Sequence, residues 1–545
     1  MMVEIAMADT NLRTLASVTH GFIDEDFVPG TVRLVDMSSG RDQQHGKKID
    51  GIIPVPNPSA DRDDPLNWSP RRKLLSLCCV ITYVFFNGFS NSVIYSVIVP
   101  LSEALDLTVG EINAGTGYLF LLAGWGLLFW QPFALQYGKR STYLISTAAT
   151  IALTMWAPYA QGPGQWYARG VLAGFFAAPT DGLAEISISD VFFTHERGTY
   201  LGVYAIALAG SNYFAPVITG WINEGQGYQW VFYYPSIFSG FAFLFLFFFM
   251  EEANYDRYVP DTKHLKTIVD VGRTSSTSDF REKASPETSS KKTFRQKLAL
   301  WDAPRPQRML YRAWLSIYFL TWPIIVYAGF QYGTYVIWFN ALNATSSEVL
   351  SSPPYSFNSG LVGTAYISCL IGVAGGAIYT GYLADKLAIF LARRNGGIKE
   401  PEQRIWAFAI LPLVVPASLI LWGVGAAHGV HWFGLVVAMC GLAFANAAGL
   451  TLSISYLIDA YREIGSDAVT TAIIIRNTMA FAINYAITPW LTLGFQNCFI
   501  TAAVVALITS SAFLFMIWKG KDFRARSRVR YWGLVRKHVD MGMIH

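Results

Sequence analysis

The chain has 545 residues, of which 53% are hydrophobic, 15% aromatic and only 14% charged, with a formal net charge of +4. A soluble protein carries about 25% charged residues, so an ordinary multidomain soluble protein is excluded, and the small net charge gives no reason to expect a nucleic-acid partner. CxxC, HExxH, GxxxxGKS/T and GxSxG patterns are absent; no metal, cofactor, ATP-driven step or enzymatic constellation is expected.

In chain order, residues 1–73 are polar, show no signal-peptide pattern, and predict a largely disordered tail. From Leu74 to Met250 the only Lys or Arg residues are Lys139, Arg140, Arg169 and Arg197. Between them run apolar stretches long enough to cross hydrocarbon, which takes ~20 residues of helix. Six helices are predicted there, near 74–100, 112–136, 141–160, 165–191, 199–222 and 229–250. A hydrophilic linker, 251–312, is rich in Ser, Thr, Lys and Glu and predicts a flexible spacer with a short basic helix near 291–300. Six more helices are predicted near 313–341, 358–385, 405–427, 431–458, 468–493 and 497–518, followed by a basic tail, 519–545. All five cysteines lie in apolar runs, so no disulfide framework is indicated.

Lysine and arginine counting supports this layout. With both termini cytoplasmic, 39 of the 41 basic residues fall in cytoplasmic segments, and the other two, Arg169 and Arg476, lie inside helices. Translocated loops disfavour positive charge, so the asymmetry predicts an all-α membrane protein of twelve transmembrane helices. The sequon Asn343-Ala-Thr345 then falls in an outer loop and predicts glycosylation, whereas Asn67-Trp-Ser69 lies inside.

Three local motifs carry a family resemblance. Asp64-Pro-Leu-Asn-Trp68 precedes helix 1, Glu251-Glu-Ala-Asn-Tyr-Asp-Arg257 follows helix 6, and Gly381-Tyr-Leu-Ala-Asp-Lys386 follows helix 8. With six helices, a middle loop and six more, the chain resembles the major facilitator superfamily and, within it, the fungal drug:proton antiporter-like group. The resemblance covers roughly residues 64–520. It implies two six-helix bundles, a plasma-membrane monomer surrounded by lipid, and alternating access at a cavity lined by helices 1, 4, 7 and 10. It implies gating roles for Gly138, Lys139 and Arg140 in loop 2–3, and for Gly381, Asp385 and Lys386 in loop 8–9. The chain departs from the pattern in loop 2–3, where the acidic position is Leu135, and in helix 5, where the antiporter motif is reduced to Gly210-Ser-Asn-Tyr-Phe-Ala-Pro-Val-Ile-Thr-Gly220.

Ionisable groups at membrane depth are costly and mark function. Asp181 and Glu185 lie four apart on one face of helix 4. Two close carboxylates in a low dielectric cannot both ionise cheaply, which suits a proton carrier. Arg476, in helix 11, is expected to pair with a helix 10 group or to bind an anionic solute. Arg169, near the outer end of helix 4, is expected to snorkel. Asn87, Asn91 and Tyr95 share a face of helix 1, Tyr327, Gln331 and Tyr335 share a face of helix 7, and Asn446 lies in helix 10. Such groups would bind a small-molecule substrate by hydrogen bonds and aromatic faces. The first expectation is proton-coupled efflux of a drug, toxin or secondary metabolite. Proton-driven uptake of an organic cation or nutrient is the alternative, and a transporter-like sensor the remote one.

Overall fold

The computed structural model describes residues 28–33, 64–255, 298–301, 308–396, 398–541 and 543. The expectations for the rest of the N-terminal tail and for most of the 251–312 linker lie outside the described residues. What is described is almost all helix, with one two-residue antiparallel ladder pairing Val32 with Lys399 and Arg33 with Ile398.

Helix occupies every predicted stretch. The first six are α1 (Pro70–Asn91), α2 (Val109–Trp125 and Leu127–Tyr137), α3 (Lys139–Trp156), α4 (Gly162–Val191), α5 (Thr194–Gln226) and α6 (Trp230–Phe249). The second six are α7 (Met309–Tyr318 and Pro323–Ser351), α8 (Ser359–Arg394), α9 (Glu402–Ala427), α10 (Trp432–Ala460), α11 (Gly465–Leu491) and α12 (Phe495–Ser510 and Phe513–Asp540). Among the described residues eight helices are long and apolar enough to cross a membrane, ten if the bent pairs in α2 and α7 each count as one span. Helices α3 and α11 fall short of that test. Helix α3 is dense in Ser and Thr and α11 carries Asp467 and Arg476, polar groups that the fold buries against neighbouring helices.

The breaks have physical causes. The sequence predicts one helix over 74–100, but α1 ends at Asn91 and a short helix follows at Ile98–Leu105. Irregular backbone at membrane depth needs substitute partners, and α5 supplies them. Thr219 Oγ1 donates to the Val93 carbonyl at 2.9 Å, and a side-chain bond from Ser92 Oγ to Asn212 Oδ1 ties the same stretch to α5. In α7 the segments meet at Trp322–Pro323 with an 87° bend. Pro323 has no N–H to continue the ladder, so the Met309–Tyr318 segment lies across the molecule against Leu127–Tyr137 of α2.

The N-terminal and C-terminal halves meet along two helix pairs, α2 with α11 and α5 with α8. Exchanging the halves maps one pair onto the other, as parallel six-helix repeats require. Each pair carries an indole-to-hydroxyl bond: Trp125 Nε1 to Thr478 Oγ1 at 3.1 Å, and Trp221 Nε1 to Thr364 Oγ1 at 3.0 Å. Close approach depends on glycine in the manner of membrane bundles. A Cβ at Gly363 would sit 2.4 Å from the Pro216 carbonyl oxygen across the α5–α8 seam.

Candidate functional site

Between the halves lies a cavity of about 140 Å³, walled by α1, α2, α4, α5, α7, α10 and α11. An apolar cavity of ~150 Å³ admits benzene, so in this conformation the space suits a solute of similar size. One pole is charged: Asp181 of α4 and Arg476 of α11 form an ion pair across the midline, and Tyr332 of α7 completes it. The guanidinium lies 4.8 Å over the Tyr332 ring and donates from Nε and Nη2 to Asn477 Oδ1 at 2.8 and 2.6 Å. Only Oδ2 of Asp181 is engaged by Arg476, and its side chain is 19% exposed on the cavity lining.

The other pole is a ring of amides. Asn91, Asn212, Asn340, Asn343 and Asn446 come from four helices. Several are already bonded: Asn446 Nδ2 donates to Tyr213 OH at 2.9 Å across the halves, and Asn343 Oδ1 accepts from Tyr366 OH at 3.1 Å. Asn340 is buried, yet its Nδ2 has no acceptor among the described residues. A buried, unsatisfied donor costs about 1–3 kcal/mol, and on a cavity wall it is available to a solute. From Tyr332 to Asn340 is eight residues, ~12 Å along α7, with Leu119, Phe120, Val336 and Phe339 at the waist.

The sequence expectations divide. Asn91, Tyr95, Asp181, Asn446 and Arg476 all line the cavity. Glu185 lies one turn from Asp181, off the lining, close enough to act electrostatically on Tyr204. Asn87 is fully buried one turn from Asn91, behind the wall beside Tyr83. The helix 7 stripe is corrected. Gln331 Nε2 donates to Tyr335 OH at 2.7 Å and to the Ser510 carbonyl of α12 at 3.2 Å, and Tyr327 meets the Tyr456 ring of α10. That face packs inside the C-terminal half, and the adjacent face, with Tyr332, Val336 and Asn340, meets the cavity. Arg476 finds its partner on α4, not on α10. Arg169 does not snorkel: it is 7% exposed, with its guanidinium 4.5 Å over the Trp166 ring. The Asn343 glycosylation site is also corrected, because α7 runs on to Ser351 and buries Asn343 in its interior.

The loop 2–3 motif is held by its own half and by the segment that follows it. Lys139 pairs with Asp190, Arg140 donates to the carbonyls of Phe247 and Leu298, and its backbone N–H donates to Glu252. Gly138, at φ 123°, allows that turn, where a Cβ would meet Glu252. Glu251 pairs with Arg72, and Asn254 Nδ2 donates to the Ala134 carbonyl, so the segment after α6 binds the ends of α1, α2 and α3 together. In the other half Asp385 pairs with Arg404, which also reaches Asp459 at 3.2 Å. Lys386 sits over the Tyr382 ring, and Gly381 lies in a π-helical turn, Tyr379–Ala384.

The contacts that cross between the halves at this basic side come from residues the sequence reading missed. Gln131 of α2 donates to Asp467 Oδ1 at 3.4 Å and to the Ser466 carbonyl at 3.3 Å, and accepts from Thr470 Oγ1. Asp467 accepts from Arg312 Nη1 at 3.0 Å through both oxygens. Far from this side the halves also touch: Asn113 Nδ2 donates to the Ala344 carbonyl at 3.3 Å, and Asn223 Nδ2 to Ser359 Oγ at 3.0 Å. The cavity thus has cross-half contacts above and below it. Spacing could have placed Asp467 near the start of α11, but nothing in the sequence joins it to Gln131 or Arg312.

Comparison with known proteins agrees with this architecture. An uncharacterized MFS-type transporter of Schizosaccharomyces pombe is 26% identical, covering 95% of this chain and 96% of the relative. Protein HOL1 of Saccharomyces cerevisiae is 24% identical, covering 93% and 96%. The MFS-type transporter penM of Penicillium rubens is 23% identical, covering 81% and 83%. Among solved structures the proton:xylose symporter XylE superposes with a TM-score of 0.54 at 12% identity, covering 83% of this chain and 96% of that one, a likeness of fold alone. The sequence model of the Major Facilitator Superfamily matches residues 80–480. With helices in two packed halves around a central cavity, this chain is a multi-pass membrane protein and belongs to the Major Facilitator Superfamily of transporters.

Proposed function

We propose that the protein is a proton-coupled secondary transporter that moves a small organic solute across the plasma membrane by alternating access, with twelve spans and both termini cytoplasmic. It works as a monomer with one cavity, and its direction is efflux, in keeping with its resemblance to drug:proton antiporters. The observation that carries this reading is the Asp181–Arg476 pair, which joins α4 to α11 at the wall of the cavity. A proton on Asp181 cancels the charge that holds Arg476, and a solute donor group competes for the same carboxylate. Either event loosens the link between the halves, which can then exchange contacts on one side for contacts on the other. Glu185, one turn away, is placed to take the proton onward. Asn340 Nδ2 supplies a donor to the solute at the opposite pole.

The test is accumulation of candidate solutes in cells expressing the protein, with and without a proton uncoupler. Efflux lowers accumulation below that of control cells, and the uncoupler abolishes the difference. Asp181→Asn should remove uphill movement while leaving exchange down a gradient. Retention of the wild-type pH dependence in both Asp181→Asn and Glu185→Gln would overturn the coupling, and uncoupler-sensitive uptake would overturn the direction.

A further inference from the structure

We propose that the turn carrying His538 and Met543, at the end of α12, is a latch that holds the basic-side junction closed, and that His538 releases it in acid. The second segment of α12 runs from Phe513 to Asp540. The whole of α12, 46 residues, would be ~69 Å of helix against ~30 Å of hydrocarbon. Its last turns therefore lie outside the membrane, across the basic side of the C-terminal half. Arg524 fixes the helix there, fully buried and donating to both oxygens of Glu402 at 2.8 and 2.6 Å.

Beyond Asp540 the chain turns back. Met543 N donates to the His538 carbonyl at 2.9 Å, and the Met543 carbonyl accepts from Arg312 Nη2 at 3.0 Å. The same guanidinium holds both oxygens of Asp467, and Asp467 is the acceptor for Gln131 of the other half. The tail thus fixes the arginine, the arginine orients the carboxylate, and the carboxylate binds across the seam. Loss of the Met543 carbonyl removes one of the acceptors that set the orientation of the guanidinium on Asp467, and the Gln131 contact weakens with it.

His538 sits inside this arrangement. It is 1% exposed and its Nε2 has no partner among the described residues. Among the described residues, the charged and titratable groups facing it are Arg312 and Tyr311 of α7, Asp467 of α11 and Lys537 of its own helix. Two cations and one acid already paired with arginine make a poor setting for imidazolium, and burial pushes the ring below its usual value. The sign follows. The docked tail binds fewer protons than the released tail, whose imidazole titrates near 6.5, so acid favours release. On the proposed orientation the latch reads cytoplasmic pH.

The test is hydrogen exchange measured by mass spectrometry on the full chain in lipid nanodiscs, following amides 465–471, with 139–156 as a control for folding. It needs no solute and no proton coupling, so its failure is separate from failure of the proposed function. Once corrected for intrinsic rates, wild-type exchange at 465–471 should rise by up to about tenfold between pH 7.5 and 5.5, one unit below the free imidazole value. His538→Gln should be slow at both pH values and His538→Arg fast at both. A flat wild type, a pH response retained in His538→Gln, or a slow His538→Arg would each overturn the latch. Should His538→Arg lose protection in the control helix, a chain ending at Lys537 decides, and slow exchange there at pH 7.5 overturns it.

Discussion

Helix α11 takes part in two arginine–aspartate pairs that look alike as chemistry and differ in surroundings. Arg312–Asp467 stands at the basic side, with side chains 7% and 5% exposed and off the cavity lining. Arg476–Asp181 stands at the cavity, and its carboxylate is 19% exposed. Burying an ion pair is seldom a net gain in stability, because both ions lose water, while breaking one by removing a partner costs ~3–5 kcal/mol. Both pairs therefore keep their partners fixed. Only the second gives a solute or a proton access to the carboxylate. On the proposed mechanism the first is suited to holding a junction closed and the second to being opened in each cycle.

The largest effect that could break this comparison is at Arg476. Arg476→Leu leaves Asp181 half-buried without its counter-ion, and thermal unfolding in detergent should show a loss of up to about 3 kcal/mol, below the ~3–5 kcal/mol of a fully buried pair. Adding Asp181→Asn should recover much of it, since the neutral amide needs no counter-ion, but should not recover uphill transport. If the double variant transports like wild type, the central pair is structural and the distinction between the two pairs disappears. Next in size is Gly124. A Cβ there would lie 2.7 Å from Cβ of Asn477, the residue that holds Arg476. Gly124→Leu should cost about 1–3 kcal/mol through overpacking and should also weaken solute affinity, because the displaced amide no longer orients the guanidinium. A stability loss with unchanged affinity would show that Asn477 does not position Arg476.

How far the sequence reveals these features follows from the range of the interactions. The helices were legible because burial in lipid demands long apolar runs, and Asp181 and Arg476 were legible because charge inside such a run is costly and therefore conspicuous. Their pairing was not, since Asp181 and Arg476 are separated by 295 positions and no periodicity links them. Helix 7 shows the limit of face arguments. Tyr327, Gln331 and Tyr335 do share a face, as spacing requires, but spacing does not say which neighbour that face meets, and it meets α10 and α12. The three family motifs were visible as words, whereas their physical roles, such as Glu252 capping the turn at Gly138, needed the fold.

A smaller effect sharpens the view of the cavity as a site. Asn340 Nδ2 has no acceptor among the described residues, so Asn340→Leu should leave the thermal midpoint unchanged or slightly raised, since it removes an unsatisfied donor. If a solute oxygen fills that vacancy, the same change should raise the solute KM by about 2- to 10-fold, the range of one hydrogen bond of ~0.5–1.5 kcal/mol. A fall in stability without a change in KM would assign Asn340 to packing.

The smallest effect is at Asn343, where glycosidase treatment of the protein from a glycosylating host should leave its gel mobility unchanged. The amide lies in the interior of α7, 2% exposed, and its oxygen accepts from Tyr366 OH, which is itself bonded to Ser346 at 2.6 Å. A glycan on this nitrogen would require the far third of α7 to unwind and the cavity to lose a wall. Asn343→Gln should therefore register through the solute site, as an altered KM, with no mobility shift. A glycosidase-sensitive band lost in Asn343→Gln would show that α7 ends before this residue, and the amide pole would then contain only the residues on α1, α5 and α10 together with Asn340.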